Sequence, residues 1–208
     1  MINYQSFQYI FPPRPKNAVP PKDLLLWDNG TMVAQPKING SNCTIYTDGT
    51  NVYVFNRHGQ RMSNFDIDKN EILRLYSGQG WMVLNGEYTN KGKKDQFSNY
   101  FTNKFCLFDI LVYDGKYLVN STFQSRVDLI SELFGTHTDY LFGLSDNVYL
   151  INNFYKDFYT TFENLTLIDL VEGLVLKRKN GKLEIGTSEN NNTKNQIKAR
   201  KPTKNYKF

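Results

Sequence analysis

The chain is poor in the residues that build disulfide or zinc scaffolds. Cys43, Cys106, His58 and His137 are the only cysteines and histidines in 208 residues. Both cysteines lie in apolar, strand-like windows, so they are expected to be free, buried thiols in a reducing cytoplasm. No Cys/His spacing matches a zinc site. Long hydrophobic runs are also missing. A membrane span needs roughly 20 apolar residues, yet Phe105-Cys106-Leu107-Phe108 is interrupted at once by Asp109. The N-terminus lacks the charged-then-apolar order of a signal peptide. The expected location is the cytoplasm, or the host cytoplasm for a phage- or virus-encoded protein, with no membrane. Proline is scarce after residue 21, where only Pro36 and Pro202 occur. The early cluster Pro12, Pro13, Pro15, Pro20 and Pro21 makes residues 1–22 a Pro-rich, loop-like segment with neither a helix nor a central strand.

Charge is present but uneven. The net charge is +5, and residues 177–208 alone carry +8, leaving −3 on the rest. A basic C-terminal part on a slightly acidic body suits a polyanionic partner such as nucleic acid or a nucleotide phosphate. The Asn-rich stretch 187–195 reads as polar and mobile, and 187–208 as a polar, basic segment.

Aromatic and aliphatic residues fall in short alternating runs. Residues 32–35, 44–47, 52–55, 81–84, 105–113 and 169–177 read as strands, with Asp48-Gly49, Asp114-Gly115 and Asn180-Gly181 as turns. Residues 68–76, 125–134 and 155–165 carry helical spacing, the first two ending near Gly78 and Gly135. Residues 89–103, with Lys91, Lys93 and Lys94, read as an exposed loop. Many short strands and few helices give an α+β fold with antiparallel sheets and a few flanking helices, in a single domain over 1–208.

Five short windows sit at element ends: Lys37-Ile38-Asn39-Gly40, Asn56-Arg57-His58-Gly59, Gly86-Glu87-Tyr88, Glu172-Gly173-Leu174-Val175-Leu176-Lys177 and Ile197-Lys198-Ala199-Arg200. Taken singly they are ordinary: Arg57 after a strand is an exposed cation, and Phe108 in an apolar run is a core residue. Jointly they supply a lysine nucleophile, two carboxylates and extra cations, a kit for nucleotidyl transfer. A lysine attacking a phosphate must shed its proton, which neighbouring cations such as Lys198 and Arg200 promote. The same cations stabilise charge on the phosphate and on leaving pyrophosphate. Glu87 and Glu172 offer the carboxylate oxygens that hard divalent metals prefer.

In this order the windows resemble the nucleotidyltransferase motifs of the covalent-lysine superfamily, the polynucleotide ligases and mRNA capping enzymes. The chain is identified as a member over about residues 32–202. The string Lys37-Ile38-Asn39-Gly40-Ser41-Asn42 is closest to that of RNA ligases of the phage-repair and RNA-editing type. Asn39 stands where DNA ligases and capping enzymes have Asp. The resemblance implies a ligase adenylation fold of ATP-grasp-like type and an ATP-dependent RNA (polynucleotide) ligase. Such an enzyme forms a lysyl–AMP on Lys37, transfers AMP to a 5′-phosphate of RNA or DNA, and seals to a 3′-OH, with ATP and Mg2+ or Mn2+ as cofactors. It implies roles for Ile38, Arg57, Glu87, Phe108, Glu172, Lys177 and Lys198 at the nucleotide. Phe108 would stack on the purine, Glu87 would bind the ribose hydroxyl or assist the metal, Glu172 would help hold the metal, and Lys198 and Arg200 would engage the α-phosphate. Asn42 would serve the later steps. Pro36 lacks the N–H that could contact the base, and Arg200 replaces the commoner lysine. No OB-fold or other C-terminal domain is expected, so substrate grip would draw on a partner protein or domain. A DNA ligase and a GTP-dependent capping guanylyltransferase are the enzymatic alternatives; a non-catalytic nucleic-acid-binding relic is the alternative of another class.

Overall fold

The computed structural model describes residues 9–187 and 189–202; Lys204 and Lys207 of the basic segment lie outside them. In chain order the elements begin with β1 (Arg14–Ala18), α1 (Leu24–Trp27), β2 (Met32–Ile38), β3 (Ser41–Thr47), β4 (Val52–Asn56) and α2 (Lys69–Leu73). There follow β5 (Met82–Thr89), β6 (Lys104–Tyr113), β7 (Lys116–Tyr117) and α3 (Phe123–Phe134). The chain continues with β8 (Leu141–Gly143), β9 (Val148–Ile151), α4 (Phe158–Leu165), β10 (Val171–Arg178) and β11 (Asn192–Arg200). A four-stranded sheet runs β1-β11-β10-β2, and a seven-stranded sheet runs β4-β3-β5-β6-β9-β8 with β7 beside β6. Pairing is antiparallel except for β1 with β11 and β6 with β9. The α+β class expected from the sequence is the class observed.

The local reasons are ordinary ones. Asp48-Gly49 turns β3 into β4, with Gly49 at φ 83°. Asp68 and Thr122 cap α2 and α3 by accepting from the backbone N–H groups of Asn70 and Ser125. Gly135 at φ 83° ends α3. Pro15 and Pro36 sit on β1 and β2, the two outer strands of the small sheet, where a missing N–H is tolerated.

Period-two alternation sends one face of each sheet to a helix layer. From the small sheet Met32, Ala34, Leu174, Leu176, Ile197 and Ala199 pack with Phe158 and Phe162 of α4 and with Leu24 of α1. From the large sheet Cys43, Ile45, Leu84, Leu107 and Ile110 pack with Ile72 of α2 and Ile130 of α3. The opposite faces approach one another. They join through an apolar cluster holding Ile38, Cys106, Leu170 and Val171. Cys43 and Cys106 are free and buried. Among the described residues no helix is long and apolar enough to cross a membrane.

Three sequence expectations need correction, and two strands come in addition. Residues 187–195 are not all mobile loop, because β11 begins at Asn192 and hydrogen-bonds between β1 and β10. Its backbone ladder is indifferent to the polar side chains that disguised it. The Pro-rich segment contributes an edge strand, β1. Strands β8 and β9 have no long alternating run to announce them. Helix α2 stops at Leu73, short of the expected residue 76.

A buried ionic cluster ties the sheets to α3. Asp109 of β6 takes Arg126 of α3 at 2.7 and 3.1 Å and faces Lys177 of β10 at 3.7 Å. Burial alone would push the Asp109 carboxyl up, but Arg126 and Lys177 outweigh it and hold the group below its ordinary value. Its stabilisation is therefore present above the unfolded carboxyl's ordinary 3.8 and is lost as pH falls below it. Removing one member leaves buried charge uncompensated. Asp109→Ala should cost about 3–5 kcal/mol in urea unfolding at neutral pH; a loss within about 0.5 kcal/mol, the size of a neutral surface change, would refute the tie.

Candidate active site

Strand register assembles the site. On the small sheet, Lys37 lies opposite Gly173, which lies opposite Arg200; Gln35, Val175 and Lys198 form the next row, and Val33, Lys177 and Gln196 the third. Directly opposed residues share a face, so Lys37, Lys198 and Arg200 project together. The pairing with β2 shifts between Val171 and Gly173. This bulge frees Glu172 from strict alternation and turns its carboxylate to the same face. Gly173 makes this possible. It sits at φ 152°, and a Cβ there would run into the Ala199 carbonyl.

The result is a compact charged group. Lys37 Nζ donates to Glu172 Oε2 at 2.5 Å, and Arg200 Nη2 lies 3.5 Å from the same oxygen. Lys198 is half-buried. Burial, then the charges of Arg200, Lys37 and Arg14, hold its ammonium below the ordinary lysine value. The cations are thus close enough to repel one another, a poised arrangement for an anion.

The large sheet supplies the facing wall. Asn42 of β3 lies opposite Glu87 of β5, which lies opposite Cys106 of β6. Asn42 donates to the Gly86 carbonyl at 3.3 Å and accepts from Asn85 at 3.3 Å. Burial pushes Glu87 up to about 7, against the pull of Lys37 and with a push from Glu172. The two glutamates and Lys37 therefore share one electrostatic environment. Gln35 links the sheets by donating to the Phe108 carbonyl at 3.1 Å and to Asn153 at 2.9 Å.

Strand β2 belongs to the small sheet and β3 to the large one, so the chain crosses between them at Asn39-Gly40. A Cβ on Gly40 would collide with the Tyr88 carbonyl and with the Glu87 side chain. Lys37 and the carboxylate wall are held together by that close approach.

The structure thus gathers Lys37, Glu172, Lys198, Arg200, Glu87 and Asn42. Phe108 is half-buried beside this group. Arg57 stays exposed at the end of β4, donating to His58 at 3.1 Å, and its charge reaches Glu87. Two of the expected residues are enclosed. The Ile38 side chain is in the core. Lys177 is 4% exposed, paired to Asp109, with its ammonium 4.7 and 4.6 Å from the Phe108 and Phe123 ring centroids. Burial pulls it down to about 8. It braces Phe108 and the ionic cluster. Sequence reasoning missed Gln35, Asn85 and the Asp109–Arg126 pair. Only Asp109 left a signal, as a charge inside the most apolar strand.

This geometry agrees with a family match. The family model described as ATP dependent DNA ligase domain matches residues 18–196. The chain belongs to this family. The LigD ligase domain of M. tuberculosis is similar at TM-score 0.59 and 16% identity, covering 81% of this chain and 54% of that one. A mycobacterial DNA ligase D complexed with ATP and MES gives TM-score 0.61 at 15% identity, covering 93% and 62%. A Lig E DNA ligase structure, titled as DNA binding with a minimal scaffold, gives 0.53 at 16% identity, covering 83% and 62%. The chain spans less than two thirds of each of these. No relative is found among curated proteins. At such identities the structural likeness concerns the fold, that of a ligase nucleotidyltransferase domain.

An ATP-dependent ligase domain implies ATP and a divalent metal. The residues fit. Glu87 and Glu172 provide two carboxylates beside a cationic group, and a hard divalent ion is commonly held by one or two carboxylates plus substrate phosphates. Among the described residues no group of three or more His, Cys, Asp or Glu side chains forms a closed cage.

The Glu87 carboxyl sets a pH signature. Its folded value of about 7 lies above the ordinary 4.5, so the native state holds the proton longer than the unfolded state. Stability therefore falls as pH rises between these values. Glu87→Gln should flatten that decline, and thermal melts from pH 4.5 to 7.5 would read it. An unchanged slope in the variant would rule Glu87 out as its source.

Proposed function

We propose that this ligase domain catalyses lysine adenylylation from ATP and passes AMP to a DNA 5′-phosphate. The convergence of Lys37, Glu172, Glu87 and Lys198 on one cleft between two sheets carries this reading. Lys37 Nζ forms a bond to the α-phosphorus of ATP while the bond to pyrophosphate breaks. Before that, the Lys37–Glu172 ion pair opens and the nitrogen gives up a proton to water. Lys198 and Arg200 hold the α-phosphate and stabilise the charge that grows on it and on pyrophosphate. Magnesium or manganese bound by Glu87 and Glu172 would neutralise phosphate charge and compete with Lys37 for the Glu172 carboxylate. Phe108 stacks on the purine and Gln35 fixes its backbone. Glu87 and the rim cation Arg57 orient the sugar side. A 5′-phosphate oxygen then displaces Lys37 from AMP, and a 3′-hydroxyl displaces AMP to form the phosphodiester, with Asn42 positioned for these steps.

The DNA substrate is supported by the family description and by the DNA ligases of similar fold. A second reading, RNA ends, is favoured by the string Lys37-Ile38-Asn39-Gly40-Ser41-Asn42. Residues 1–208 act as one nucleotidyltransferase unit in either case, and a partner protein or domain assists sealing.

Incubation with α-labelled ATP and magnesium or manganese should leave a labelled band after denaturation. Lys37→Ala should abolish it, and Lys198→Ala should lower its rate about 100-fold, as for loss of one charge-stabilising donor. Labelling by GTP alone would redirect the reading to capping chemistry, and no band with either nucleotide would leave a binding relic. Chase with nicked DNA and with RNA ends decides the substrate.

A further inference from the structure

The loop between β5 and β6 is shaped unlike a passive connection. Phe97 and Tyr100 are each 73% exposed, although both are large enough to repay burial. The loop does not float. Lys94 and Tyr100 form a β-bridge, and the Phe101 N–H donates to the Lys93 carbonyl at 2.7 Å. At the tip, Asp95 Oδ1 accepts from the N–H groups of Phe97 and Asn99, each at 2.9 Å. Phe101 anchors the base in the core, 4.8 Å from the Tyr149 ring. The two aromatics are therefore held outward on an ordered tip.

Cations surround them. Lys94 Nζ stands 5.4 Å from the Tyr100 ring centroid, and Lys91 is exposed two residues after β5. Lys93 is paired with Asp169 at 2.8 Å, which docks the loop on the segment leading into β10. The tip's one acid, Asp95, is occupied by backbone N–H groups. Two hydrogen bonds connect the loop to the nucleophile motif: Leu170 N donates to the Lys94 carbonyl, and Asn39 N donates to the Leu170 carbonyl, each at 2.9 Å.

We propose that residues 91–100 form a stacking platform for a polynucleotide strand next to the end being joined. Phe97 and Tyr100 take unpaired bases, and Lys91 and Lys94 take the adjoining phosphates. Aromatic faces with interleaved lysines recognise strands without sequence preference, because every base has a π face and every linkage a charge. The placement beside Asn39 and the run into Glu172 orients such a strand toward Lys37. This inference rests on the ligase reading.

The test compares Phe97→Ala/Tyr100→Ala with the native chain in two assays. Fluorescence anisotropy with a labelled, 5′-phosphorylated single-stranded oligonucleotide and with a nicked duplex should show affinity falling at least about fivefold, more for the single strand. Formation of lysyl–AMP from ATP without nucleic acid should be unchanged, which also reports an intact fold. Phe97→Trp/Tyr100→Trp should retain binding. Unchanged affinity for both probes overturns the platform, as does equal loss of binding and adenylylation, which would make the loop a support of the cleft. Absence of lysyl–AMP in the native protein would sink the ligase reading, while anisotropy would still decide the platform.

Discussion

Everything at this site depends on one close crossing of the backbone. The chain leaves the small sheet at Ile38 and joins the large sheet at Ser41, so Asn39 and Gly40 alone span the gap. Gly40 packs against the Tyr88 carbonyl and Glu87 so tightly that no Cβ fits. Asn39 N–H is fixed on the Leu170 carbonyl at 2.9 Å. Lys37 is thereby held at the inner edge of one sheet with Glu87 on the other, and the third wall, Glu172, follows two residues after Leu170. A looser crossing would separate Lys37 from the carboxylates by far more than the fraction of an ångström that positioning for the proposed catalysis tolerates.

Given that geometry, the electrostatics follow from what is crowded together. Lys37, Lys198 and Arg200 lie on one face with a single nearby carboxylate from Glu172, and Glu87 faces them partly buried. Charges of like sign crowd one another on both sides. The Lys198 ammonium is disfavoured by burial and by its cationic neighbours, and the Glu87 carboxylate is disfavoured by burial and by Glu172. A ligand that brings phosphates relieves the first, and a cation relieves the second. A nucleotide with a divalent ion relieves both at once, so the strain is of the kind a preorganised site stores for its substrate.

Much of this was legible in the sequence, and the reasons are specific. The Asp48-Gly49 hairpin, the α3 helix and β6 announce themselves through turn chemistry and periodicity. The order of Lys37, Glu87, Glu172 and Lys198 points to the family because each sits in a short motif that can be read without knowing what connects it to the next. Other features had no one-dimensional trace. Strand β11 is written in Asn, Thr, Lys and Gln, so only its two neighbours reveal it. The bulge that turns Glu172 toward Lys37 depends on pairing with β2, more than 130 residues away. Ile38 and Lys177 carry no one-dimensional sign of their surroundings. Motif membership does not say which way a side chain points, and here one lies in the core and the other under Asp109.

The departures from the family's pattern are physically coherent with this frame. Pro36 lies on an outer strand, where no sheet hydrogen bond is lost. Its fixed φ narrows the backbone freedom of the residue preceding the nucleophile. Arg200 keeps the charge of the usual lysine, and its guanidinium reaches Glu172 at 3.5 Å. Glu172 is therefore shared by Lys37 and Arg200 in the resting state. In the proposed reaction Lys37 would leave this pair to attack while Arg200 still holds the carboxylate, so opening the ion pair would not strand a partly buried charge.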